Sequence, residues 1–369
     1  MINLLFAGDF IPPETSGSLY SAELKEVLKD KDFSIVNLET PLTKSIAAIQ
    51  KTGNNFKRSP EVVKHITDGF FDAVALSNNH IRDYGDQGVL DTIQVCKDNN
   101  IRTVGAGKNA REALKPLRLN IKGKNISILN YSEREFNIAG ENKAGANAFD
   151  LIDAYYQIKT EKEENDFVIV VYHGGIEYMK YPTPQILKSF RYLIDQGADA
   201  IVAHHTHFYS GMIEYQGKPI IFSLGNFYAE TSSKSPDRAF FIGLLAKISI
   251  DEKRNITTTL IPTLQNTNTG RVSVANQTNR SEILNDIKNI SNTISSEKEL
   301  KKIWDNHYQK EKERLINLFL SKSKFEYRIR KRLGFFSKMS AYKTAITLNL
   351  LRCDAHRFKS VEILEKLMK

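Results

Sequence analysis

Val74-Ala-Leu-Ser-Asn-Asn-His-Ile-Arg-Asp-Tyr-Gly85 sets a short apolar run directly against two asparagines, a histidine and an aspartate. A run such as Val74–Leu76 reads as a strand buried on both faces, and a polar cluster at its carboxyl end is where an α/β sheet gathers ligands. The question this stretch raises is whether the pattern recurs. It does: "INLLFAGD", "FSIVNLE", "NISILNY", "FVIVVYH", "ADAIVAHH" and "PIIFSLGNF" are all short and mainly apolar. Helix-like stretches lie between several of them, at Ser18–Lys29, Pro60–Gly69, Asp86–Asn99, Phe149–Glu163 and Thr183–Gln196. Alternation of this kind predicts an α/β layered fold. Arg238–Thr263 reads as a β-hairpin turning around Asp251–Asn255 that closes this part of the chain.

From about Ser281 the pattern becomes helical, with few β-branched runs. The expected division is a domain over residues 1–270 and a helical, basic C-terminal region over 280–369. The chain has 369 residues, enough for a real core, and carries a formal charge of +9. Ser321–Lys343 alone holds eight Lys or Arg against one Glu, which leaves about +2 for everything else. "MINLLFAGDF" has no basic leader and its apolar run breaks at Asp9, so a cytoplasmic protein is expected. Cys96 and Cys353 lie far apart without Cys-x-x-Cys spacing, which argues against a disulfide framework or a thiolate zinc site.

The predicted strand ends carry Gly8-Asp9, Asn37-Leu38-Glu39, Asn78-Asn79-His80, His173-Gly174-Gly175 and His204-His205-Thr206-His207. Singly each is weak: an Asp after a strand is often a cap, and a lone buried His is often a core residue. Together they supply carboxylates, an amide oxygen and imidazoles, the donor set of a dinuclear site for divalent cations. His65, His307 and His356 lie in helical surroundings and take the ordinary structural reading.

The order Gly-Asp, Asn-Leu-Glu, Asn-Asn-His followed by "DYG", His-Gly-Gly with "EY", His-x-His and "SLGNF" resembles the bacterial capsule-synthesis CapA family. That family is associated with poly-gamma-glutamate capsules and belongs to the calcineurin-like metallophosphoesterase superfamily. The likeness runs from Asn3 to about Tyr228 and does not cover the chain beyond about residue 275. It implies a metallophosphoesterase-like layered β-sandwich flanked by helices, with a C-terminal helical appendage. It also implies two divalent metal ions (Mn, Fe, Zn or Mg). Carried over, Asp9 and His207 bind the first ion, Glu39 bridges, and Asn79, His173 and His205 bind the second. His80 then faces substrate. Asp83 either orients His80 or caps the following turn. Against the superfamily pattern, Ile11 stands where a metal-binding histidine is usual, Glu39 replaces an aspartate, and His204 replaces a glycine.

Further candidates stand beside ordinary loop readings: Arg58 with the helix start after it as a phosphate contact, Glu177 and Tyr178 as substrate contacts, and Asn226 as support for a ligand. Gly105 and Gly107 lack phosphate-loop spacing and read as turn residues. The expected function is metal-dependent phosphoester hydrolysis in capsule or surface-polymer biosynthesis, on a phosphorylated sugar, nucleotide or polymer intermediate. The alternative is a non-catalytic assembly or export factor binding an anionic polymer. The basic tail admits a solvated helix face, an inner-membrane surface or capsule-assembly protein, and, least favoured, nucleic acid.

Overall fold

The computed structural model describes residues 1–15, 17–230, 237–321, 324–333 and 341–367. Strands β1 (Ile2–Phe10), β2 (Phe33–Leu38), β3 (Ala73–Ala75) and β4 (Arg102–Val104) run parallel in sequence order. Two short strands, β5 (Ala106–Gly107) and β8 (Gly145–Ala146), pair apart from the main sheets. A second sheet is built from β6 (Leu117–Ile121), β7 (Lys124–Ser132), β9 (Phe167–His173), β10 (Ala200–His204), β11 (Met212–Tyr215) and β12 (Lys218–Ile221). Within it β7, β9, β10 and β12 are parallel neighbours. The chain then returns to the first sheet: β13 (Asn226–Tyr228) lies parallel to β1. β14 (Ile242–Ile250) lies antiparallel on β1, and β15 (Ile256–Gln265) and β16 (Val272–Val274) extend that edge. The arrangement is the expected layered α/β fold.

The parallel strands are apolar on both faces because both are covered. On the first sheet, Leu5, Val36, Leu38 and Val74 pack with Leu24 and Leu28 of α1 (Ala22–Lys29) and Val89 and Cys96 of α3 (Gly85–Asp98), all buried in one cluster. A 3-10 turn at Pro60–Val63 runs into α2 (Lys64–Asp68). α4 (Ala110–Ala113) is one turn; α5 (Leu151–Glu164) starts on the Asp150 cap and α6 (Pro184–Asp195) on Thr183-Pro184.

"PIIFSLGNF" differs from its reading as one strand. It splits into β12 and β13, which lie in different sheets. The crossing turns at Gly225, whose φ is +64°, a conformation open to glycine. Gly225 O accepts the Asp9 amide at 2.9 Å, and a Cβ on Gly8 would stand 2.0 Å from that oxygen. The two glycines let β1 and the crossing segment touch directly beneath Asp9.

The helical stretch begins with α7 (Gln277–Ser295), which buries Ile283, Ile287, Ile290 and Ile294. α7 packs against β11 and β15, so the compact unit extends to Leu300, some 20 residues past the change in pattern. The second unit, Lys301–Lys369, contains most of α8 (Glu297–Leu320), then α9 (Lys324–Leu333), α10 (Ala341–Arg352) and α11 (Asp354–Leu367). Within it α10 packs on α11. Residues 322–323 and 334–340 of the basic segment lie outside the described residues. Among the described residues, no helix is long and apolar enough to cross a membrane.

Candidate metal centre

Every polar strand end named above opens at the carboxyl side of a parallel strand: Asp9 from β1, Glu39 after β2, Asn79 and His80 after β3, His173 from β9 and His204–His207 at and after β10. All of them are buried. The two asparagines that follow β3 divide the work. Asn78 Oδ1 accepts the amides of His80 at 3.2 Å and Ile81 at 2.9 Å, and its Nδ2 donates to Leu38 O at 2.8 Å. Asn78 therefore shapes the turn, and Asn79 is left to extend its Oδ1 to 3.0 Å from His173 Nε2.

Around His173 Nε2 stand three further donors: Asn79 Oδ1 at 3.0 Å, His205 Nδ1 at 3.1 Å and Glu39 Oε1 at 3.3 Å. Ligands about 2.1 Å from a tetrahedral ion are separated by roughly 3.4 Å, so these spacings suit one cation in their midst. On the other side His207 Nδ1 lies 3.8 Å from Asp9 Oδ2 and 3.9 Å from Glu39 Oε2. Two triads able to hold a metal ion result, Glu39–His173–His205 and Asp9–Glu39–His207, with Glu39 common to both. Both Glu39 oxygens and His204 Nδ1 are buried without a hydrogen bond. Buried carboxylates nearly always have partners, and a cation is the kind of partner that would satisfy Glu39 here.

The surroundings hold the ligands in place. Asn37 Nδ2 reaches both Asp9 Oδ1 at 2.7 Å and His173 Nδ1 at 3.1 Å. Asp9 Oδ2 accepts the His205 amide at 3.0 Å, and His204 Nδ1 stands 3.4 Å from Asp9 Oδ1. Asn226, paired in register with Asp9, places Oδ1 2.9 Å from His207 Nδ1 and donates to Phe240 O. His205, His207 and Tyr178 adopt φ of +94°, +58° and +63°. Left-handed backbone at three non-glycine residues costs about 1–3 kcal/mol each and clusters where chemistry requires it.

Electrostatics follow from burial and crowding. Burial alone would raise the Asp9 carboxyl, but His204, His173 and His207 outweigh it and hold the group below the usual carboxylate range. Glu39 goes the other way: burial, then the charges of Asp9, Glu177, Asp83 and Glu135, keep it well above the ordinary value. Burial and the other imidazoles hold His173 well below its usual value and push His205 down to about 4. His173 and His205 are thereby kept neutral, as ligands must be.

His80 sits beside this cluster with its Nδ1 2.6 Å from Asp83 Oδ2. Burial lowers its pKa, Asp83 pulls it back up and Lys51 reinforces the lowering. Asp83 thus orients His80. Tyr178, half exposed, holds its ring 5.7 Å from that of His207, tilted by 36°, and Glu177 acts electrostatically on Glu39. Arg58 is placed differently. Its guanidinium bonds Pro12 O at 2.7 Å, Lys57 O at 3.1 Å and Glu230 at 2.9 Å, and the Ser59 amide at the following turn is taken by Glu14. These bonds direct the guanidinium to Pro12, Lys57 and Glu230. Asn37 and Lys51 were not singled out in the sequence. Asn37 sits in the quoted Asn-Leu-Glu run and could have been noticed; Lys51, within an irregular loop, carries no periodic signal.

Two layered sheets whose strand ends converge on a buried, histidine-rich centre with one carboxylate common to both triads define a metallophosphoesterase-like protein. The sequence matches the profile described as "Bacterial capsule synthesis protein PGA_cap" over residues 4–231, and the chain belongs to that family. It is 32% identical over 209 residues to the capsule biosynthesis protein CapA of Bacillus anthracis, covering 54% of this chain and 51% of that one. To the PGA biosynthesis protein CapA of Bacillus subtilis (strain 168) it is 31% identical over 210 residues, 55% of each. A probable polyglutamine synthesis accessory protein of Mycobacterium tuberculosis is 26% identical over 208 residues, 53% of this chain and 55% of that one. The chain spans about half the length of these curated relatives.

Proposed function

We propose that the chain is a metal-dependent phosphoester hydrolase acting in capsule or related surface-polymer biosynthesis of the poly-gamma-glutamate type. The observation that carries the reading is Glu39, buried without a hydrogen bond, with one oxygen toward His173 and the other toward His207. In this reading two divalent ions (Mn, Fe, Zn or Mg) are held, one by Asp9, Glu39 and His207, the other by Glu39, Asn79, His173 and His205. Such ions would supply positive charge to phosphoryl oxygens and increase the acidity of water. His80 commits its Nδ1 to Asp83, so Nε2 is the atom left to pass a proton to the leaving oxygen or to bond the phosphoryl group. Glu177 and Tyr178 would meet the organic part of the substrate, a phosphorylated sugar, nucleotide or polymer intermediate.

The mycobacterial relative, a probable synthesis accessory protein, favours a second reading, a non-catalytic assembly or export factor that holds an anionic polymer. Metal content and turnover of bis(p-nitrophenyl) phosphate separate the two. The enzyme reading expects about two ions per chain and a His80→Ala variant that keeps them while losing roughly 100-fold or more in rate. Metal-loaded protein that turns over no phosphoester, yet binds polyglutamate, would support the second. A cytoplasmic location, and contact of the basic C-terminal helices with an inner-membrane surface or capsule-assembly protein, belong to the proposal. Fractionation and vesicle co-sedimentation test them.

A further inference from the structure

Residues 43–59 leave the end of β2 and return beside it, the neck being closed by Thr43 N to Arg58 O at 2.9 Å and Arg58 N to Pro41 O at 3.0 Å. One side of this strap is solvent, where Ile46 is almost fully exposed. The other side is applied to residues 80–84. Ile49 N donates to Asp83 O at 2.9 Å, Phe56 N donates to Asp83 Oδ2 at 2.7 Å, and Lys57 lies over the Tyr84 ring at 4.7 Å. Lys51 reaches furthest inward: its side chain is only 4% exposed, its ammonium pairs with Asp83 Oδ1, and Nζ stands 3.2 Å from His80 Nδ1. The Phe56 ring covers the His80 ring, 4.4 Å between centres.

These contacts constrain where the His80 proton can be. A lysine ammonium only donates, and so does the Phe56 amide. Asp83 is therefore ion-paired with Lys51 through Oδ1 and accepts the Phe56 amide on Oδ2, which sets the carboxylate plane and aims Oδ2 at His80 Nδ1, 2.6 Å away. The Asp83 carboxylate, aimed at Nδ1, holds that nitrogen as the proton-bearing one and leaves Nε2 as the lone-pair edge; Lys51 acts through Asp83, since its own ammonium, 3.2 Å from Nδ1, could only donate there. A buried lysine beside a buried aspartate bears a desolvation cost that packing alone gives no reason to bear.

We infer that Lys51 and Phe56 are positioning residues that lock the His80–Asp83 pair in one tautomer and one ring orientation, which makes the strap 43–59 part of the reactive site. The inference rests on the reading of His80 given above, in so far as it concerns turnover. Its geometric content does not depend on that reading.

The test is Lys51→Met, close in volume and without charge, with Lys51→Arg as the conservative rescue and Phe56→Leu as a second, independent variant. In protein labelled with imidazole-nitrogen-15 histidine, with His80 assigned through His80→Gln, the wild type should show a single Nδ1–H tautomer. Lys51→Met and Phe56→Leu should each show mixed tautomers or exchange broadening confined to His80, and Lys51→Arg should restore the single form. If bis(p-nitrophenyl) phosphate is turned over, kcat should fall about 10- to 100-fold in Lys51→Met with KM within about twofold and metal content unchanged. Absence of turnover in the wild type would overturn the hydrolase reading alone, and the nitrogen spectra would still decide the role of the strap. An unchanged His80 spectrum in Lys51→Met, or in Phe56→Leu should the lysine variant not fold, would overturn the inference.

Discussion

Glu39 Oε1 stands 3.3 Å from His173 Nε2 in the closed interior between the strand ends, while the other oxygen of the same carboxylate faces His207 at 3.9 Å. One carboxylate that follows a strand of the first sheet therefore faces two imidazoles supplied by the second, from the end of β9 and the segment after β10. Glu39→Ala should reduce metal content from about two ions per chain to less than one, because each triad loses a member. Elemental analysis after purification without chelators measures this directly. Two ions retained by Glu39→Ala would remove the bridging role.

Asn37 holds Asp9 and His173 with a single amide nitrogen, at 2.7 and 3.1 Å. Residues that orient ligands from behind typically matter by about 10- to 100-fold in metal affinity. Asn37→Ala should show that weakening in a chelator competition, with the far-ultraviolet circular dichroism unchanged. Affinity within twofold of wild type would make Asn37 merely a packing residue.

Metal-free protein should lose stability as pH falls from about 6.5 toward 4. The His205 pKa is pushed down to about 4 in the fold by burial and then by His207, from 6.5 when unperturbed. Between those values the unfolded chain binds a proton that the folded chain refuses, so stability present above 6.5 is lost progressively on acidification, by about 1–3 kcal/mol. The raised pKa of Glu39 opposes this trend, since a protonated buried carboxyl favours the fold at lower pH. Urea denaturation of the metal-free wild type and of His205→Asn separates the contributions: the variant should have the smaller loss between pH 7 and 5. An equal loss in both would show that His205 is not responsible.

Gly8→Ala should damage fold and centre together. The added Cβ would lie 2.0 Å from Gly225 O, so β1 must move away from the crossing segment that carries Asn226. Overpacking of this kind costs about 1–3 kcal/mol, and the shift displaces Asp9 from His207. Thermal unfolding combined with metal analysis should show both losses; wild-type values in both would mean the two backbones are not in firm contact.

Much of the fold could be read along the chain. Buried parallel strands must be apolar on both faces, so they stand out as short runs, and the helices between them begin at recognisable caps such as Thr183-Pro184. The antiparallel pair β14 and β15 followed the same logic, with its turn at Asp251–Asn255. Phe222–Gly225 escaped because a continuous apolar run does not reveal that the chain changes sheets within it. α7 looked like the start of an appendage because a helix period says which face is apolar and not what covers it; Ile283, Ile287 and Ile290 are buried within the first unit.

The site divides in the same way. Residue types were legible because the strand ends are the positions of an α/β sheet whose side chains escape the core, and polar residues there need a purpose. That Asp9, Glu39, Asn79, His173, His205 and His207 stand near one another was an expectation of that logic, and only the packing of two sheets makes it a set of distances. Lys51, Asn37 and the placement of Arg58 against Glu230 depend on segments far apart in sequence. The chain by itself determined which residues could do chemistry, since type and periodicity are local properties. The tertiary structure alone decided which of them meet, because a hydrogen bond or an ion pair depends on distance in space, and separation along the chain does not fix it.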